Sequence, residues 1–440
     1  MKRRKAILAV LIFLTCLAGT LNAAPKISLV WYFWWYADPI RAASVDYEIA
    51  EFIRQNPNVE IKPVTISNEA YWDRLARDIA TNTEGDIVTI DTGGGVNAYY
   101  NIREGGSFIS LDKYIKGYKL PDGTSLEKDL MLMDQMKRDG RTIALPFIWF
   151  CAPNIAYRKS HLKDAGVNPD TLKTWDAFRN AAEKMTVDRN GDGTIDRYGF
   201  GHPTYAEDLS RWWHMNWLWT AGGGIFPKEL PPYTPDKLIF NSPENLFAVE
   251  YLAGMTKKTS PQGDQKVFTL LPMFYEGSLS MMAIHIWTVA LIEKDMKPEG
   301  SYKSDFGLMP FPAAVYKGAT KPPVYVFWSN PVAISTRCKN PDAAFKFIAF
   351  LHGEEVQKKE GVTNAPTNKR VFDWYKANFP DQARFVEISQ RYESRITPDI
   401  PQWNQVTHII QESVKDSLLG LRTPKAALDW AQAEMVKVLK

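Results

Sequence analysis

The sequence predicts an α/β protein with two lobes, because strand and helix patterns alternate in two successive blocks along its 440 residues. The blocks are separated at residues 142–158, where Ile143 and Leu145 belong to an apolar run too short for a buried helix. β-Branched and aromatic residues dominate the run, which is typical of a strand buried on both faces, and Pro146 predicts a bulge or an edge there. We therefore predict a strand that joins the lobes and places Trp149 in the cleft between them.

The first lobe begins with the order strand–helix–strand–helix–strand, which predicts right-handed crossovers and a parallel sheet. Pro39 opens the first helix, and Ser67 or Asn68 caps the second. Pro63 indicates that the second strand lies near an edge. In such sheets the ligand binds beyond the carboxyl ends of the strands. The three predicted strands cover residues 27–33, 58–66 and 86–90.

Two segments follow the carboxyl ends of predicted strands and supply candidate ligand-binding residues. Trp34, Trp35 and Tyr36 follow the first strand, and a loop containing Asp91, three consecutive glycines and Asn97 follows the third. The loop matches neither the dinucleotide-binding fingerprint nor the P-loop. A phosphate cradle and a plain flexible turn are the alternatives. We interpret the glycines as a place where the backbone approaches a neutral ligand, with Asp91 and Asn97 as its polar partners.

The second lobe is predicted from a further set of helices and strands. Thr174 caps a helix, residues 280–284 form a strand, and residues 322–336 form the second crossing between the lobes. The tryptophans at 212–219 are expected mainly in the core, and His214 is expected to be a hydrogen-bonded packing residue. Proline at the first helical position predicts the starts of two later helices, at Asn340-Pro341 and Thr423-Pro424.

Residues 188–196 carry oxygen-bearing side chains at alternate positions, like the first half of an EF-hand loop. Gly193 suits the sharp turn, but Gly199 stands where an EF-hand has a bidentate glutamate. Two interpretations stay open, a structural Ca²⁺ site and a plain turn rich in Asx and glycine residues. No other cofactor is expected. The candidate metal ligands are Asp188, Asn190, Asp192, Thr194 and Asp196.

Residues 1–23 are expected to be a cleaved secretory signal peptide rather than part of the fold. Four basic residues precede the apolar run 6–21, and small residues follow it. Removing residues 1–23, which contain four bases and no acids, changes the formal net charge from +3 to −1, so nucleic acid is not an expected partner. A lipid anchor at Cys16 is the alternative, but Leu14-Thr15 precedes it where a lipoprotein signal normally has a smaller residue.

Only Cys151 and Cys338 remain after that cleavage, and two cysteines are too few for a disulfide scaffold. Each follows a predicted crossing between the lobes. One disulfide and two separate buried thiols both fit the sequence.

Ten pieces of the chain match one known family in their order and spacing. The pieces are residues 34–39, 85–88, 105–111, 154–158, 162–166, 174–176, 188–199, 274–287, 340–351 and 423–428. Together they resemble the extracellular solute-binding proteins of bacterial ABC sugar importers, the maltose-binding-protein-like family. The resemblance implies the two-lobed periplasmic-binding-protein fold of type II, whose discontinuous lobes are joined by hinge strands. It implies an N-terminal lobe at 24–146 and 334–385 and a C-terminal lobe at 147–333 and 386–440.

The resemblance also implies a receptor that closes over a sugar and hands it unchanged to an ABC permease. We expect a periplasmic monomer that is not an enzyme. Indole rings suit the C–H faces of a pyranose, and Asp or Asn side chains suit its hydroxyl groups. The chain departs from the family at its glycine loop and at His285, so the identity of the sugar stays open. The family's ligand-binding positions correspond to Trp34, Trp35, Tyr36, Asp91, Asn97, Trp149, Tyr205, Trp287, Trp328 and Trp403.

Two other functions compete with this interpretation. A secreted glycoside hydrolase would need two carboxylates flanking the scissile bond, and Asp91 with Glu276 is the pair to consider. The same fold could instead serve a polyol, a phosphate ester or a uronic acid. A basic residue in the cleft would favour an acidic solute, and Arg370 is the candidate.

Overall fold

The structure is a computed structural model that describes residues 26–35, 39–90, 99–149, 151, 153–205, 210–398 and 400–440. The expected signal peptide lies outside the described residues. The described strands are β1 Ile27–Phe33, β2 Val59–Thr65, β3 Ile87–Thr89, β4 Lys137–Arg138, β5 Arg141–Thr142, β6 Leu145–Trp149, β7 Asn154–Arg158, β8 Tyr198–Gly201, β9 Leu279–Ile284, β10 Phe306–Met309, β11 Ala314–Tyr316, β12 Ala319–Lys321, β13 Tyr325–Val326, β14 Ser329–Ile334, β15 Ala365–Pro366 and β16 Ser394–Arg395. The described α-helices are α1 Pro39–Gln55, α2 Asn68–Ala80, α3 Asp112–Ile115, α4 Lys159–Asp164, α5 Trp175–Met185, α6 Ser210–Ala221, α7 Pro243–Thr259, α8 Val267–Glu276, α9 Thr288–Asp295, α10 Tyr302–Asp305, α11 Pro341–Phe350, α12 Glu354–Glu360, α13 Phe372–Asn378, α14 Pro380–Arg391, α15 Trp403–Leu418 and α16 Pro424–Val438.

The larger sheet has six strands in the order β15-β6-β14-β3-β1-β2. β1 pairs in parallel with β2 and with β3, which confirms the predicted parallel arrangement and the edge position of the second strand. β14 runs antiparallel between β3 and β6. All five residues of β6 are buried, as predicted. The pairing of β14 with β6 shifts between Asn330 and Pro331, opposite Pro146, which confirms the predicted bulge.

The second sheet has four strands in the order β10-β7-β9-β8. β8 and β9 are parallel, and β7 runs antiparallel to β9 and β10. β6 ends at Trp149 in the first sheet and β7 begins at Asn154 in the second, so the chain crosses between sheets at residues 150–153. It returns through β13 and Trp328 to β14. The lobe limits stay predictions.

Local sequence signals account for several helix ends. The Thr174 hydroxyl accepts a hydrogen bond from Ala177 N at 3.4 Å and starts α5 as predicted, and Thr423 caps α16 in the same way. α11 begins at Pro341 as predicted. Within the described ranges, no helix combines the length and the apolar composition that a membrane span needs.

The core of the second sheet contains the tryptophans predicted there. Trp213, Trp217 and Trp219 on α6 are each at most 1% exposed. His214 lies among them, and its Nδ1 is 3.1 Å from Nε2 of the buried His202. The prediction that His214 is a hydrogen-bonded packing residue is therefore confirmed.

A buried ion pair joins β7 to α10. The Arg158 guanidinium contacts the Asp305 carboxylate at 2.7 Å, and Asp305 also accepts a hydrogen bond from Ser160 N at 2.6 Å. Burial raises the pKa of Asp305, but the hydrogen bonds from Ser160 and Arg158 outweigh burial and hold the pKa below its usual value. Both charges are therefore retained inside the protein.

Cys151 and Cys338 are free thiols, so the structure contains no disulfide between them. Both are buried. Burial raises the pKa of Cys151 well above its usual value and that of Cys338 to about 12. Of the two interpretations that the sequence left open, two separate buried thiols is the one found.

We predict that Asp305→Ala lowers the free energy of unfolding by about 3–5 kcal/mol, because it leaves the Arg158 charge buried without its partner. Asp176→Ala is the matched control, because Asp176 pairs with Arg179 on the surface and is 71% exposed. The control should change the free energy of unfolding by less than about 0.5 kcal/mol. Urea unfolding followed by tryptophan fluorescence measures both, and equal effects would contradict the prediction.

We predict that both cysteines of the chain lacking residues 1–23 alkylate after unfolding without a reductant, because neither is held in a disulfide. In the native protein the same reaction should be much slower, because burial excludes the reagent and disfavours the thiolate. Intact-mass spectrometry after iodoacetamide treatment counts the modified thiols. Unfolded protein that gains no mass until a reductant is added would show a disulfide instead.

Candidate functional site

In each sheet, one row of strand ends faces the other sheet, and we call this row the cleft edge of the sheet. In the six-stranded sheet β1, β3 and β6 end at the cleft edge, and β14 begins there, because Ser329 pairs with Trp149. In the four-stranded sheet, β8 and β9 end where β7 begins. The short link from Trp149 to Asn154 joins these two edges. We call the space between them the cleft.

Trp34 and Trp35 belong to an aromatic cluster after β1. The Trp34 ring centroid lies 4.9 Å from that of Trp35, 4.8 Å from that of Tyr71 and 4.5 Å from that of Trp72. Tyr71 is fixed by its hydroxyl, which donates to the Thr89 carbonyl oxygen at 2.7 Å. The two predicted site residues are 8% and 4% exposed, so neighbouring rings cover most of their surface.

Trp149 and Trp328 lie at the two crossings between the sheets. Trp149 is 6.4 Å from Phe327 between ring centroids, and Trp328 meets the His285 ring edge-on at 5.3 Å. The second crossing is tied to α6, because Val326 N donates to Asn216 Oδ1 at 2.8 Å. Both predicted tryptophans therefore stand at the cleft, each 5% exposed.

Trp287 follows β9 and stands directly before α9. Its ring lies 5.7 Å from that of Phe268, which is 63% exposed. From the first sheet's side, the guanidinium of Arg41 on α1 is 5.9 Å from the Trp287 ring centroid, within the range of a cation–π contact. Trp287 therefore contacts both halves of the molecule.

The other predicted binding residues lie farther from the centre of the cleft or outside the described part of the chain. Tyr205 is half-buried under the ammonium of Lys266, which lies 4.1 Å from its ring centroid. Trp403 begins α15 and is buried, and the neighbouring Asn404 donates across the cleft to Asp73 Oδ1 at 3.4 Å. Tyr36, Asp91 and Asn97 lie outside the described residues.

Arg41 is a basic residue at the cleft. Arg370, the candidate named from the sequence, lies on the surface instead, where its Nε donates to Glu354 Oε1 at 2.7 Å. Arg41 is 9% exposed and faces Trp287. Burial raises the pKa of the nearby Glu360, and the positive charge of Arg41 opposes that rise. No sequence pattern singled out Arg41, because its neighbours come from segments far away in the chain.

His285 is a further candidate, which the sequence did not predict as a binding residue. Its ring lies between Trp213, at 5.1 Å, and Trp328, at 5.3 Å, and it is completely buried. The sequence signal was its departure from the residues that relatives often have at this position.

These positions can be compared with known proteins. Residues 36–358 match the family model described as bacterial extracellular solute-binding protein, which is more than half of the chain. The chain belongs to this family. The resemblance stated from the sequence is therefore confirmed, and membership of this family means that a solute is the ligand.

Relatives and solved structures match this solute-binding protein over most of its length. The chain is 23% identical to a putative binding protein of Brucella abortus over 88% of each chain. It superimposes on a solute-binding protein from Thermotoga lettingae bound with α-D-tagatose with a TM-score of 0.76 and 22% identity, covering 94% of this chain and 100% of that one. Maltose-bound MalE3 of T. maritima gives a TM-score of 0.74 and 19% identity, covering 94% and 100%. These superpositions confirm the predicted two-lobed fold.

The acidic loop of this solute-binding protein is folded by its own hydrogen bonds. Asp188 accepts from the backbone N–H groups of Gly191 and Gly193, each at 2.8 Å, and Asp192 accepts from Thr194 N at 2.7 Å. These bonds lower the pKa of Asp188 and of Asp192. Within the described ranges, no group of three or more His, Cys, Asp or Glu residues is arranged to hold a metal ion. The Ca²⁺ site at Asp188, Asn190, Asp192, Thr194 and Asp196 stays a prediction.

If the loop binds Ca²⁺, millimolar Ca²⁺ should raise the Tm above its value in a chelator, because a ligand of the native state alone stabilises that state. Asp192→Asn should remove the increase by removing a charged ligand. A thermal-shift assay with CaCl₂ or EDTA measures the difference, and MgCl₂ controls for general ionic effects. An identical Tm in CaCl₂ and EDTA would show that the loop is a plain hydrogen-bonded turn.

Proposed function

We propose that this protein is a periplasmic receptor that closes over a sugar in the cleft and delivers it to an ABC permease. The observation that carries the proposal is the presence of indole side chains next to the strand ends that border the cleft on both sides. Trp34 and Trp149 come from the first sheet, Trp287 from the second, and Trp328 from the crossing between them. Indole rings cover the apolar faces of sugars and leave the hydroxyl groups to polar neighbours.

Sugar ligands of similar proteins support the proposal. The Thermotoga lettingae protein was solved with α-D-tagatose and MalE3 of T. maritima with maltose, so proteins of this fold accept a monosaccharide or a disaccharide. Indole rings can cover the C–H faces of either ligand, so a ligand screen has to contain sugars of both lengths.

Closure of the cleft is supported by contacts that join its two sides. Arg41 lies over Trp287, and Asn404 donates to Asp73. These contacts would be broken if the two sheets moved apart about the crossings. A sugar can shift the open–closed equilibrium only through contacts that are stronger in the closed form. Rings presented from both sides of the cleft provide such contacts.

Export, monomeric state and absence of catalysis are parts of the same proposal. The basic and apolar residues at positions 2–21 have the pattern of a secretory signal, and the family is extracellular. A glycoside hydrolase would need two carboxylates about 5–10 Å apart across the bond. Glu276, the described member of the candidate pair, is exposed at the carboxyl end of α8. We therefore propose that the sugar is released unchanged.

Arg41 favours a second candidate function, the binding of an acidic sugar. A buried guanidinium beside a cleft aromatic ring could meet a carboxylate or a phosphate. The same charge already acts on the buried Glu360, however, which favours a structural role for Arg41. Glucuronate and glucose 6-phosphate therefore belong in the ligand screen, beside neutral sugars.

We predict that Trp287→Ala weakens binding of the best sugar in the screen by about 30- to 1,000-fold, as expected for a buried aromatic contact in a binding site. Trp287→Phe should retain an intermediate affinity, because it keeps a ring. Isothermal titration calorimetry with tagatose, maltose or the strongest sugar found by thermal shift measures the affinities.

Trp374→Ala is the control for the Trp287 variants. Trp374 lies on α13, is 37% exposed and packs against Phe379 away from the cleft. This variant should bind the sugar like the wild type. Unfolding curves must show that each variant is folded at the temperature of the titration. Wild-type affinity in folded Trp287→Ala would contradict the proposed site.

A further inference from the structure

Two neighbouring side chains at the cleft edge of the four-stranded sheet carry buried polar atoms that have no partner. His285 follows β9 and is 0% exposed, yet neither of its ring nitrogens has a hydrogen-bond partner among the described residues. Nε1 of the adjacent Trp213 is also buried without a partner. Most buried polar groups in native proteins are hydrogen-bonded, so each exception calls for an explanation.

Comparison with the other histidines sets His285 apart. Five histidines are buried within the described ranges, and the other four each place at least one ring nitrogen next to a hydrogen-bonding atom. His352, for example, has its two nitrogens 2.7 Å from the Ile348 oxygen and 3.2 Å from the Pro146 oxygen. The other three are His161, His202 and His214. Burial of a histidine in this fold therefore normally comes with a partner, and His285 departs from that pattern.

The position of His285 identifies what could supply the partner. Its ring lies 5.3 Å from that of Trp328, which directly precedes the first sheet's strand β14. Asn330, two residues further on, is fully buried, and its Oδ1 also lacks a partner in the part of the chain that the structure describes. Unpaired donors and acceptors thus come from both sheets where their edges meet, which is the place proposed for the ligand.

We propose that His285 contacts the ligand and selects for a neutral, hydroxyl-bearing solute, donating a hydrogen bond from one ring nitrogen and accepting one at the other. This inference rests on the proposed sugar-receptor function and narrows it to a ligand class. A hydroxyl group both donates and accepts, so two hydroxyl groups satisfy both nitrogens. A carboxylate or phosphate group placed at His285 only accepts, so it leaves the second nitrogen without a partner, and an acidic sugar could satisfy both nitrogens only through its hydroxyl groups.

The charge state of His285 supports the same ligand class. Burial lowers the pKa of His285 to about 3, so the ring is neutral between pH 5 and 8. The rings that face it, Trp213 and Trp328, are uncharged. A neutral imidazole offers no positive charge to an anion, and it keeps the acceptor nitrogen that an imidazolium would lose. Sugar affinity should therefore vary little over this pH range.

The first experiment compares ligand classes on the wild-type chain lacking residues 1–23. The panel contains tagatose, maltose, mannitol, glucuronate and glucose 6-phosphate, screened by thermal shift and titrated by calorimetry. We expect a neutral member to bind at least about tenfold more tightly than either anion. Tighter binding of glucuronate or glucose 6-phosphate would overturn the selectivity. Failure of every member to bind would contradict the proposed function itself, and this inference with it.

The second experiment tests the residue. His285→Phe keeps a planar ring but removes both polar atoms, and should weaken binding of the best neutral ligand by about 10- to 100-fold. His285→Gln keeps one donor and one acceptor, and should recover most of the loss. His352→Gln is the matched control, because it alters a buried histidine whose nitrogens already have partners in the fold. It should leave the affinity unchanged even if the Tm falls.

A spectroscopic measurement separates contact from packing. In protein labelled with ¹⁵N-histidine, the signals lost in His285→Phe identify the two ring nitrogens of His285. Both should shift when the neutral ligand is added and should not titrate between pH 5 and 8. The wild-type protein could bind the ligand while His285→Phe binds it with the same affinity and the His285 signals do not shift. In that case His285 is a packing residue, and the inference is wrong while the receptor function stands.

Discussion

The pairing of β14 between β3 and β6 is the constraint on which the site depends. β14 is buried along its whole length and is fixed on both sides. Ile90 N donates to the Pro331 oxygen at 2.9 Å, and the Ser329 hydroxyl donates to the Ile148 oxygen at 2.7 Å. Because Ser329 is held opposite Trp149, the preceding Trp328 must emerge at the same sheet edge. A slip of this strand by one residue would exchange the faces of its side chains and remove Trp328 from the cleft.

Several tryptophans of the core have their indole N–H groups bound by the fold. Trp31 donates from Nε1 to Thr89 Oγ1 at 3.0 Å, and Trp175 donates to the Pro312 oxygen at 3.1 Å. Trp219 likewise donates to Glu229 Oε1 at 2.7 Å. These side chains are fully engaged by the fold. Trp213 and Trp217 are equally buried, but their Nε1 atoms have no partner among the described residues, and only that of Trp213 lies beside His285.

Local signals in the sequence predicted much of the fold. β1 and the start of α1 at Pro39 lie where the apolar pattern and the proline predicted them, because both signals act within a few residues. The bulge opposite Pro146 followed from the missing N–H of proline. The type of fold also followed from the order of strands and helices, since right-handed crossovers leave few arrangements open.

The details of the site were less accessible because they depend on residues distant in sequence. Arg41 meets Trp287, and Trp213 meets Trp328 through His285, but no local pattern links these positions. The exposed position of Arg370 and the separation of the two thiols also depend on tertiary packing. The aromatic residues at strand ends can be recognised in the sequence, whereas the polar atoms among them that lack partners are decided by tertiary packing.

β14 lies far along the chain from the strands that it joins, and this affects how the sheet forms during synthesis. Asn330 donates to the Ile90 oxygen across 240 positions of sequence, so the six-stranded sheet cannot be completed until about three-quarters of the chain has been made. Until then the sides of β3 and β6 that β14 covers have unpaired backbone N–H and C=O groups, and strands in this condition pair readily with other chains. A nascent or truncated product that ends before residue 329 therefore exposes an unpaired side of each of these two strands, whereas the finished chain covers both with β14.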